Sequence, residues 1–307
     1  MRNFEYVKVK SIEEATQLLT EYGEKAHLLA GGTDILVKLK QRQIAPELLI
    51  DIKGILGLRG VEYEDGKGMK IGPLTTIREI ERSSLIQAHL PVLAYAASLL
   101  GSVQVRHRAT IGGNLCNALP SADTGPCLIG MGARVVAVSL HRKRSLLVEE
   151  LFVGTGRNSL RSDELLSLIE IPAWPEYMGA AYIKHAVKRA VDVALVCVAA
   201  VVVTDPMKEF FKDARIVLGG VASVPIRPEG AEDYLRGRRV EDETIERAGE
   251  LASEAARPRT SVEYKREMVK VLTRRVMRQA LEGISKDRQR REGNEAADKA
   301  EGERRRG

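Results

Sequence analysis

The chain has 307 residues, with 48 Lys and Arg against 42 Asp and Glu, a formal net charge of +6, and 44% hydrophobic residues. This length and apolar content suffice for a sizeable core in two or three domains, which excludes an intrinsically disordered protein. No apolar run approaches the roughly eighteen residues of a membrane span, and three cysteines are too few for a disulfide framework. The first residues lack an apolar signal core, so we expect a cytoplasmic protein without a membrane span.

The positive charge does not indicate a nucleic-acid partner. Residues 286–307 contain eight Lys and Arg and six Asp and Glu but no large apolar residue, so we predict a disordered, charged tail. Residues 262–284 place apolar residues near a helical period, with basic residues largely elsewhere. Because no recognised nucleic-acid motif accompanies this helix, we expect it to be solvated or to face a protein partner, and we expect no nucleic acid to bind.

Residues 1–57 are predicted to form a small βαβ-like subdomain. Its elements in chain order are a strand at 4–10, a helix from Ser11 to Gly23, a strand at 26–29, an apolar-periodic stretch to residue 40 and a strand at 48–52. Ser11 and Glu14 are the capping-box pair that starts the helix, and Gly23 can end it.

Residues 58–175 are predicted to form a second subdomain. Its elements are strands at 58–63 and 69–71, a helix that starts at the capping box of Thr76 and Glu79, a helix at 91–100, a glycine turn near 109–114, and strands at 133–140, 145–148 and 165–171. Pro91 lies at the first helical position, where its missing N–H costs nothing. Pro172 and Pro175 indicate a domain boundary near residue 175.

Residues 176–285 are predicted to form a separate C-terminal α+β domain. Its β-rich stretches at 180–186, 193–204 and 214–219 precede helices at about 228–236, 242–256 and 262–284. The sequence contains no internal repeat.

Two segments combine paired glycines with small hydroxyl or amide residues. The first glycine segment is Ala30-Gly31-Gly32-Thr33, and the second is Thr110-Ile111-Gly112-Gly113-Asn114. Glycine permits positive φ and lets backbone N–H groups approach a phosphate closely. Neither segment contains a basic residue, so oriented dipoles would neutralise a bound phosphate. Taken alone, each glycine pair is more often only a tight turn. The chain lacks a P-loop, and a Rossmann dehydrogenase is not expected.

Both glycine segments belong to a more specific pattern. The matching stretches are Leu28–Ile35, Gln104–Leu115, Pro120–Asp123, Leu165–Pro172, Tyr182–Ala194 and Leu218–Ala222. With them the chain resembles the FAD-binding medium subunit of molybdenum hydroxylases, a family that includes the flavin subunits of carbon monoxide dehydrogenase, bacterial xanthine dehydrogenase and nicotinate dehydrogenase. The resemblance extends from about residue 3 to residue 284.

The resemblance implies an α+β fold: a two-subdomain FAD-binding domain of the CO dehydrogenase flavoprotein type, followed by a C-terminal α+β domain. FAD would lie between the two N-terminal subdomains, with its diphosphate at the two glycine segments. The residues implied to line it are Leu28, Leu29, Ala30, Gly31, Gly32, Thr33, Asp34, Ile35, Thr110, Ile111, Gly112, Gly113 and Asn114. Asp123 would hydrogen-bond FAD, and Leu166 and Lys184 would complete the pocket.

Leu100 departs from the family pattern. It falls where the xanthine-oxidising members place an aromatic ring beside the flavin. With 13 aromatic residues in the chain, few can replace that ring, and Tyr182 is the nearest candidate.

Asp123 and Lys184 also have simpler interpretations. Asp123 precedes Thr124-Gly125-Pro126, a context typical of a helix N-cap, and Lys184 in an alternating strand can point to solvent. The three cysteines, Cys116, Cys127 and Cys197, cannot supply a four-cysteine iron–sulfur cluster and are expected to be small buried residues. No histidine spacing indicates a metal site, and we assign no acid–base catalyst.

The resemblance implies an oxidoreductase subunit that carries FAD and transfers electrons. In the family a molybdenum-cofactor large subunit oxidises the substrate, a small subunit with two [2Fe–2S] clusters conducts the electrons, and FAD delivers them to an acceptor such as NAD, a quinone or ferredoxin. Two other functions remain open. One is a stand-alone FAD-dependent oxidoreductase of the same fold, and the other is a non-enzymatic basic scaffold protein.

Overall fold

The computed structural model describes residues 3–188 and 191–304, with side chains to residue 284. The N-terminal elements are β1 (Glu5–Lys8), α1 (Ile12–Tyr22), β2 (Ala26–Leu29), α2 (Ile35–Lys40) and β3 (Leu48–Asp51), and the strands form a parallel sheet in the order β1-β3-β2. Ser11 caps α1 as predicted, because its hydroxyl accepts the Glu14 N–H at 3.0 Å. The Glu14 carboxylate accepts from the N–H of Lys10 at 2.9 Å instead of that of Ser11.

The middle of the chain forms a five-stranded antiparallel sheet flanked by short helices. Its elements are β4 (Val61–Glu64), β5 (Gly68–Ile71), α3 (Ile77–Arg82), α4 (Ser84–His89), α5 (Pro91–Ser98), α6 (Val103–Arg106), α7 (Ile111–Asn117), α8 (Thr124–Gly130), β6 (Arg134–Val138), β7 (Lys143–Leu147), α9 (Val148–Leu151), β8 (Phe152–Gly154), β9 (Arg157–Asn158) and β10 (Leu165–Pro172). The sheet order is β4-β5-β10-β6-β7, and β8 and β9 form a separate hairpin. The predicted capping box of Thr76 and Glu79 is present at the start of α3.

The last part of the chain is an antiparallel meander with helices on one face. Its elements are β11 (Met178–His185), β12 (Val196–Thr204), β13 (Phe211–Gly219), α10 (Glu229–Leu235), α11 (Asp242–Ala255) and α12 (Val262–Arg304). The helix α12 continues past the predicted end at 284. The side chains beyond that residue lie outside the described part of the chain, and the disorder of residues 286–307 stays a prediction.

Successive side chains of β12 point alternately into two hydrophobic cores, one on each face of the C-terminal sheet. Val198, Ala200 and Val202 face the core beneath α11 and α12, whereas Ala199 and Val201 belong to the core of the middle sheet. The helix α8 packs against β12 and β13. The residue before α8, Asp123, is therefore placed beside the C-terminal sheet.

The basic residues of α12 pair with acidic residues of α11. The Lys270 ammonium lies 3.0 Å from the Glu250 carboxylate, and Arg278 lies 2.8 Å from Asp242. Arg274 also binds a carboxylate of α11. Much of the positive charge that the sequence places on this helix is thus matched within the domain.

Candidate functional site

A cavity of about 760 Å³ lies between the N-terminal elements, the helices and strands of the middle of the chain, and the loop before β12. This volume is within the range of about 300–1,000 Å³ for small-molecule and cofactor sites. Its lining includes β2, both glycine segments, the residues before α8 and residues 191–193 that precede β12. Segments that are distant in the sequence therefore line one cavity.

The first glycine segment uses its two glycines for different purposes. A Cβ at Gly31 would lie 2.0 Å from the backbone oxygen of Arg108, so only glycine allows the chain to pass this close to the stretch before the second segment. Gly32 has φ +83°, a conformation that L side chains rarely adopt. The local backbone thus explains both glycines without reference to a ligand.

The first glycine segment also presents unused donors. Among the described residues, the backbone N–H groups of 32–35 have no hydrogen-bond acceptor, and all four residues line the cavity. Successive free N–H groups in a turn form a concave site for an anion. This part of the cavity is suited to a phosphate group.

The second glycine segment is the start of a helix, whereas the sequence predicted a turn. Thr110 caps α7, because its hydroxyl accepts the Gly113 N–H at 3.1 Å. The N–H groups of Ile111, Gly112 and Asn114 donate to backbone oxygens. The backbone of this segment is therefore satisfied internally, unlike that of the first segment.

What the second glycine segment offers a ligand is space and a side chain. Gly113 and Asn114 line the cavity, and a Cβ at Gly113 would meet only the Thr110 hydroxyl within 4 Å, at 2.9 Å. The Asn114 side-chain oxygen accepts from the hydroxyl of Thr124 at 2.6 Å. Because that bond uses the carbonyl end, the amide NH₂ of Asn114 remains as a donor.

A hydrogen-bonded bridge connects α2, which follows the first glycine segment, with α7, which contains most of the second. Lys38 of α2 donates to the side-chain oxygen of Asn117 at 2.8 Å. Asn117 in turn donates from its amide nitrogen to Asp34 at 2.9 Å. All three side chains belong to residues that line the cavity, and the bridge holds α2 against the end of α7.

A buried cluster lies at the Asp123 end of the cavity. Tyr182 donates its hydroxyl proton to one Asp123 oxygen at 2.8 Å, and the Lys184 ammonium donates to the other at 2.9 Å. Lys184 also donates to the backbone oxygen of Leu99 at 3.0 Å. The side chains of Lys184 and Asp123 are 8% and 7% exposed, so this ion pair is shielded from water.

Burial and hydrogen-bonded partners shift the pKa of Asp123 in opposite directions. Burial is the larger influence and raises the pKa of the carboxyl above its ordinary value, while Lys184 and Tyr182 favour the charged form. Asp123 has backbone angles of −68° and −35° and makes no side-chain cap to α8. Asp123 thus occupies the N-cap position of α8, but its carboxylate binds Tyr182 and Lys184 instead of capping the helix. Lys184 does not point to solvent.

The structure brings most of the residues implied by the resemblance to one cavity. Those that line it are Leu28, Ala30, Gly31, Gly32, Thr33, Asp34, Ile35, Leu100, Thr110, Gly113, Asn114, Asp123 and Leu166. Leu29 instead packs in a small core cluster, Ile111 is fully buried, and a Cβ at Gly112 would meet Pro73 at 2.5 Å. Lys184 contributes through Asp123.

Tyr182 does not supply the aromatic ring that Leu100 lacks. Its side chain is 2% exposed, it lies outside the cavity lining, and its hydroxyl is bound to Asp123. Leu100 is 8% exposed and lines the cavity as an aliphatic residue. The wall of the cavity at this point is therefore aliphatic.

Sequence reasoning missed several polar residues of the cavity, among them His27, Lys38 and Asn117. Lys38 follows the first glycine segment by little more than one helical turn, a spacing that places it on the same side of α2 as Ile35. Asn117 carries no comparable signal, since its position depends on the end of α7. The His27 ring nitrogen Nδ1 is buried without a hydrogen-bond partner.

The cysteines are free, and two of them are fully buried. Cys127 and Cys197 lie in the core, whereas Cys116 is half-buried at the cavity. Burial raises the pKa of the Cys116 and Cys197 thiols to about 12. Within the described ranges no group of three or more His, Cys, Asp or Glu side chains has the arrangement of a metal site.

The cavity fits FAD on three independent observations. Its volume is sufficient for a cofactor, free N–H groups are available for a diphosphate, and Gly113 leaves space in another part of the lining. None of the helices in the described residues is both long and apolar enough to cross a membrane.

Residues 2–174 match the family model "FAD binding domain in molybdopterin dehydrogenase", and residues 181–280 match "CO dehydrogenase flavoprotein C-terminal domain". The xanthine dehydrogenase FAD-binding subunit of Escherichia coli O157:H7 is 30% identical over 90% of this chain and 95% of that protein. The carbon monoxide dehydrogenase medium chain of Hydrogenophaga pseudoflava is 34% identical over 90% of this chain and 96% of that protein.

A solved structure of the carbon monoxide dehydrogenase from Hydrogenophaga pseudoflava, which lacks the Mo-pyranopterin moiety of its cofactor, matches with a TM-score of 0.86 and 34% identity. The match covers 91% of this chain and 97% of that chain. The predicted fold class and the FAD cofactor are thereby confirmed. The chain belongs to the family of FAD-binding medium subunits of molybdenum-containing hydroxylases and dehydrogenases.

Proposed function

We propose that this subunit holds FAD in the cavity and passes electrons from [2Fe–2S] clusters of a partner small subunit to an external acceptor. A molybdenum-cofactor large subunit of the same complex would oxidise the substrate. The observation that carries the proposal is the cavity itself, which is lined both by the free N–H groups of 32–35 and by Gly113, where the space is open. We expect the complex to work in the cytoplasm.

Different residues of the chain would contact different parts of FAD. The N–H groups of 32–35 would hold the diphosphate, and the Asn114 amide would donate to the cofactor from the second glycine segment. Leu28, Leu100 and Leu166 would provide apolar contacts, since they line the cavity with aliphatic side chains. Asp123 would form a hydrogen bond with FAD at the buried end of the cavity.

FAD supplies the chemistry of accepting electrons singly and releasing them in pairs. The protein supplies orientation and electrostatics. Tyr182 and Lys184 hold the Asp123 carboxylate in one orientation, and the surrounding burial excludes water from that end. No acid–base catalyst is needed on this chain for electron transfer, and we assign none.

The partner subunits are inferred from chemistry and from relatives. The relatives include a FAD-binding subunit and a medium chain, names that denote parts of larger enzymes. Cys127 and Cys197 are buried in the core and Cys116 faces the proposed FAD cavity, so the iron–sulfur clusters would belong to another chain. We propose the domain boundaries that the sequence predicts. These are FAD-binding subdomains at 1–57 and 58–175, a C-terminal domain at 176–285 and a charged tail at 286–307.

A first experiment tests whether the cavity holds FAD. The full-length chain is purified and its flavin content is measured by visible absorption, for the parent and for Gly113→Val. We expect the variant to lose FAD, because a branched side chain would fill the open wall and displace the Thr110 cap. Gly154→Val is the matched control, since a Cβ at Gly154 would meet only the Arg157 side chain at 3.8 Å. A parent chain without flavin, even after FAD is added, would count against the proposal.

A second experiment tests the electron route. The chain is copurified with its complex, and aldehydes, purines and carbon monoxide are tested as substrates under anaerobic conditions. In a complex that carries Gly113→Val we expect substrate to bleach the iron–sulfur absorption but NAD, quinone and ferredoxin to remain unreduced. A stand-alone oxidoreductase would instead turn over without any partner, and a scaffold protein would show neither flavin nor turnover.

A further inference from the structure

Lys38 places a basic side chain in the cavity from outside both glycine segments. The helix α2 presents Ile35 and Lys38, three residues apart, to the cavity, while Leu36, Val37 and Lys40 are exposed on other sides. Lys38 itself is half-buried. Its position follows from the helix that the first glycine segment begins.

The Lys38 ammonium is held in place but its charge is not matched. One of its three N–H groups donates to Asn117 at 2.8 Å, and the Asn117 amide is fixed in turn by its bond to Asp34 at 2.9 Å. In the part of the chain that the structure describes, no carboxylate oxygen lies within 4.0 Å of the ammonium nitrogen. Two donors of the ammonium are left for a ligand.

The nearby ring of His27 does not offset this charge. Burial is the main cause that lowers the pKa of His27, and the positive charge of Lys38 adds to it. His27 is therefore neutral near neutral pH, and its Nδ1 atom is buried without a partner. Two positively charged side chains line the described part of the cavity, Lys38 and Arg161, and neither forms an ion pair among the described residues. Of the two, Lys38 is the one whose charged group is held by a side-chain hydrogen bond.

We propose that Lys38 is the counter-ion of the FAD diphosphate. The inference rests on the proposed binding of FAD in this cavity and adds a residue that neither glycine segment contains. The N–H groups of 32–35 are neutral donors that orient a diphosphate, whereas a lysine ammonium binds phosphate as a point charge. Asn117 acts as a positioning residue, because it directs the Lys38 ammonium while its own amide is held by Asp34.

The test uses the full-length chain freed of flavin, with ligand affinities measured by calorimetric titration of FAD, ADP and riboflavin. Lys38→Gln keeps a donor for Asn117 but removes the charge. We expect this variant to weaken the binding of FAD and of ADP by about tenfold each, which corresponds to the loss of one hydrogen bond to a charged group. Riboflavin, which lacks the diphosphate, is expected to bind the variant as it binds the parent.

Lys40→Gln is the matched control, since Lys40 lies on the same helix but is exposed and outside the cavity. It is expected to change FAD affinity by less than about twofold. Lys38→Arg, which keeps the charge, should restore most of the affinity. Equal affinities of the Lys38→Gln and Lys40→Gln variants for FAD would overturn the inference, and so would an equal loss for riboflavin. A parent chain that binds no FAD would instead refute the proposed function.

Discussion

The buried pair of Lys184 and Asp123 makes a quantitative test of the site possible. Lys184→Met keeps the length and shape of the side chain but removes the ammonium that lies 2.9 Å from the carboxylate and 3.0 Å from the Leu99 oxygen. Both side chains are less than a tenth exposed. Removing one partner of a buried ion pair costs about 3–5 kcal/mol, because it leaves an uncompensated charge. We expect the free energy of unfolding to fall by about that amount.

The double variant Asp123→Asn, Lys184→Met separates charge from packing. With the carboxylate also removed, no buried charge remains, and Tyr182 can still donate to the amide oxygen. We therefore expect the double variant to recover at least about 1–2 kcal/mol relative to Lys184→Met, a coupling typical of contacting residues. Lys212→Met provides the control, since Lys212 is exposed on β13.

The loss in Lys184→Met should depend on pH. Burial raises the pKa of Asp123, and Lys184 is the leading influence that lowers it, so the variant raises this pKa further. A carboxyl whose folded pKa exceeds its unfolded value of 3.8 makes stability fall as pH rises between the two values. We expect a larger deficit at about pH 8 than at about pH 5.

The assay is urea unfolding followed by circular dichroism and by the fluorescence of Trp174, the sole tryptophan, which lies beside the boundary to the C-terminal domain. If the two probes give the same unfolding transition, the measured free energy refers to one cooperative unfolding of the chain. The reasoning would be refuted if Lys184→Met and the double variant lost the same stability at both pH values, since the buried charge would then have no effect.

Two further predictions concern backbone and acid stability. Gly31→Ala should destabilise the chain by about 1–3 kcal/mol and reduce FAD content, because its Cβ would lie 2.0 Å from a backbone oxygen. Thermal unfolding measures the change, and Gly230→Ala, where a Cβ in helix α10 meets nothing within 4 Å, should not destabilise the chain. Arg144 binds Glu164 at 2.7 and 2.8 Å and lowers the pKa of that carboxyl. This stabilisation is complete above the ordinary pKa of 4.5 and is lost as pH falls through the lower folded value. Arg144→Gln should cost about 1–2 kcal/mol at neutral pH, since the arginine is partly solvated, and little in acid; an equal loss at both would contradict the assignment.

The first glycine segment and the N-caps of α1 and α3 were predictable because their signals are local. Ser11 and Thr76 cap the helices that they were predicted to cap. The second glycine segment was predicted as a turn, since glycine disfavours helix interiors. The Thr110 cap and the packing of Gly112 on Pro73 outweigh that preference.

The contacts between distant segments could not be read from local patterns. Tyr182 and Asp123 meet only because α8 packs against the C-terminal sheet. Tyr182 was therefore named as the nearest candidate for the aromatic ring missing at Leu100, whereas its hydroxyl donates to the Asp123 carboxylate. Lys38 was not predicted, because it lies beyond the Leu28–Ile35 stretch that carries the resemblance and reaches the cavity only through the helical turn of α2.

The hydrogen bonds from Lys184 to Leu99 and Asp123 begin in the C-terminal domain and end in the domain that carries both glycine segments. Recombination that exchanged one domain for that of a relative would have to bring a matching residue at this strand position, or a buried carboxylate would be left without its cation. The unit that can be exchanged between enzyme complexes is thus the whole flavoprotein chain, and its two domains are expected to vary together in evolution.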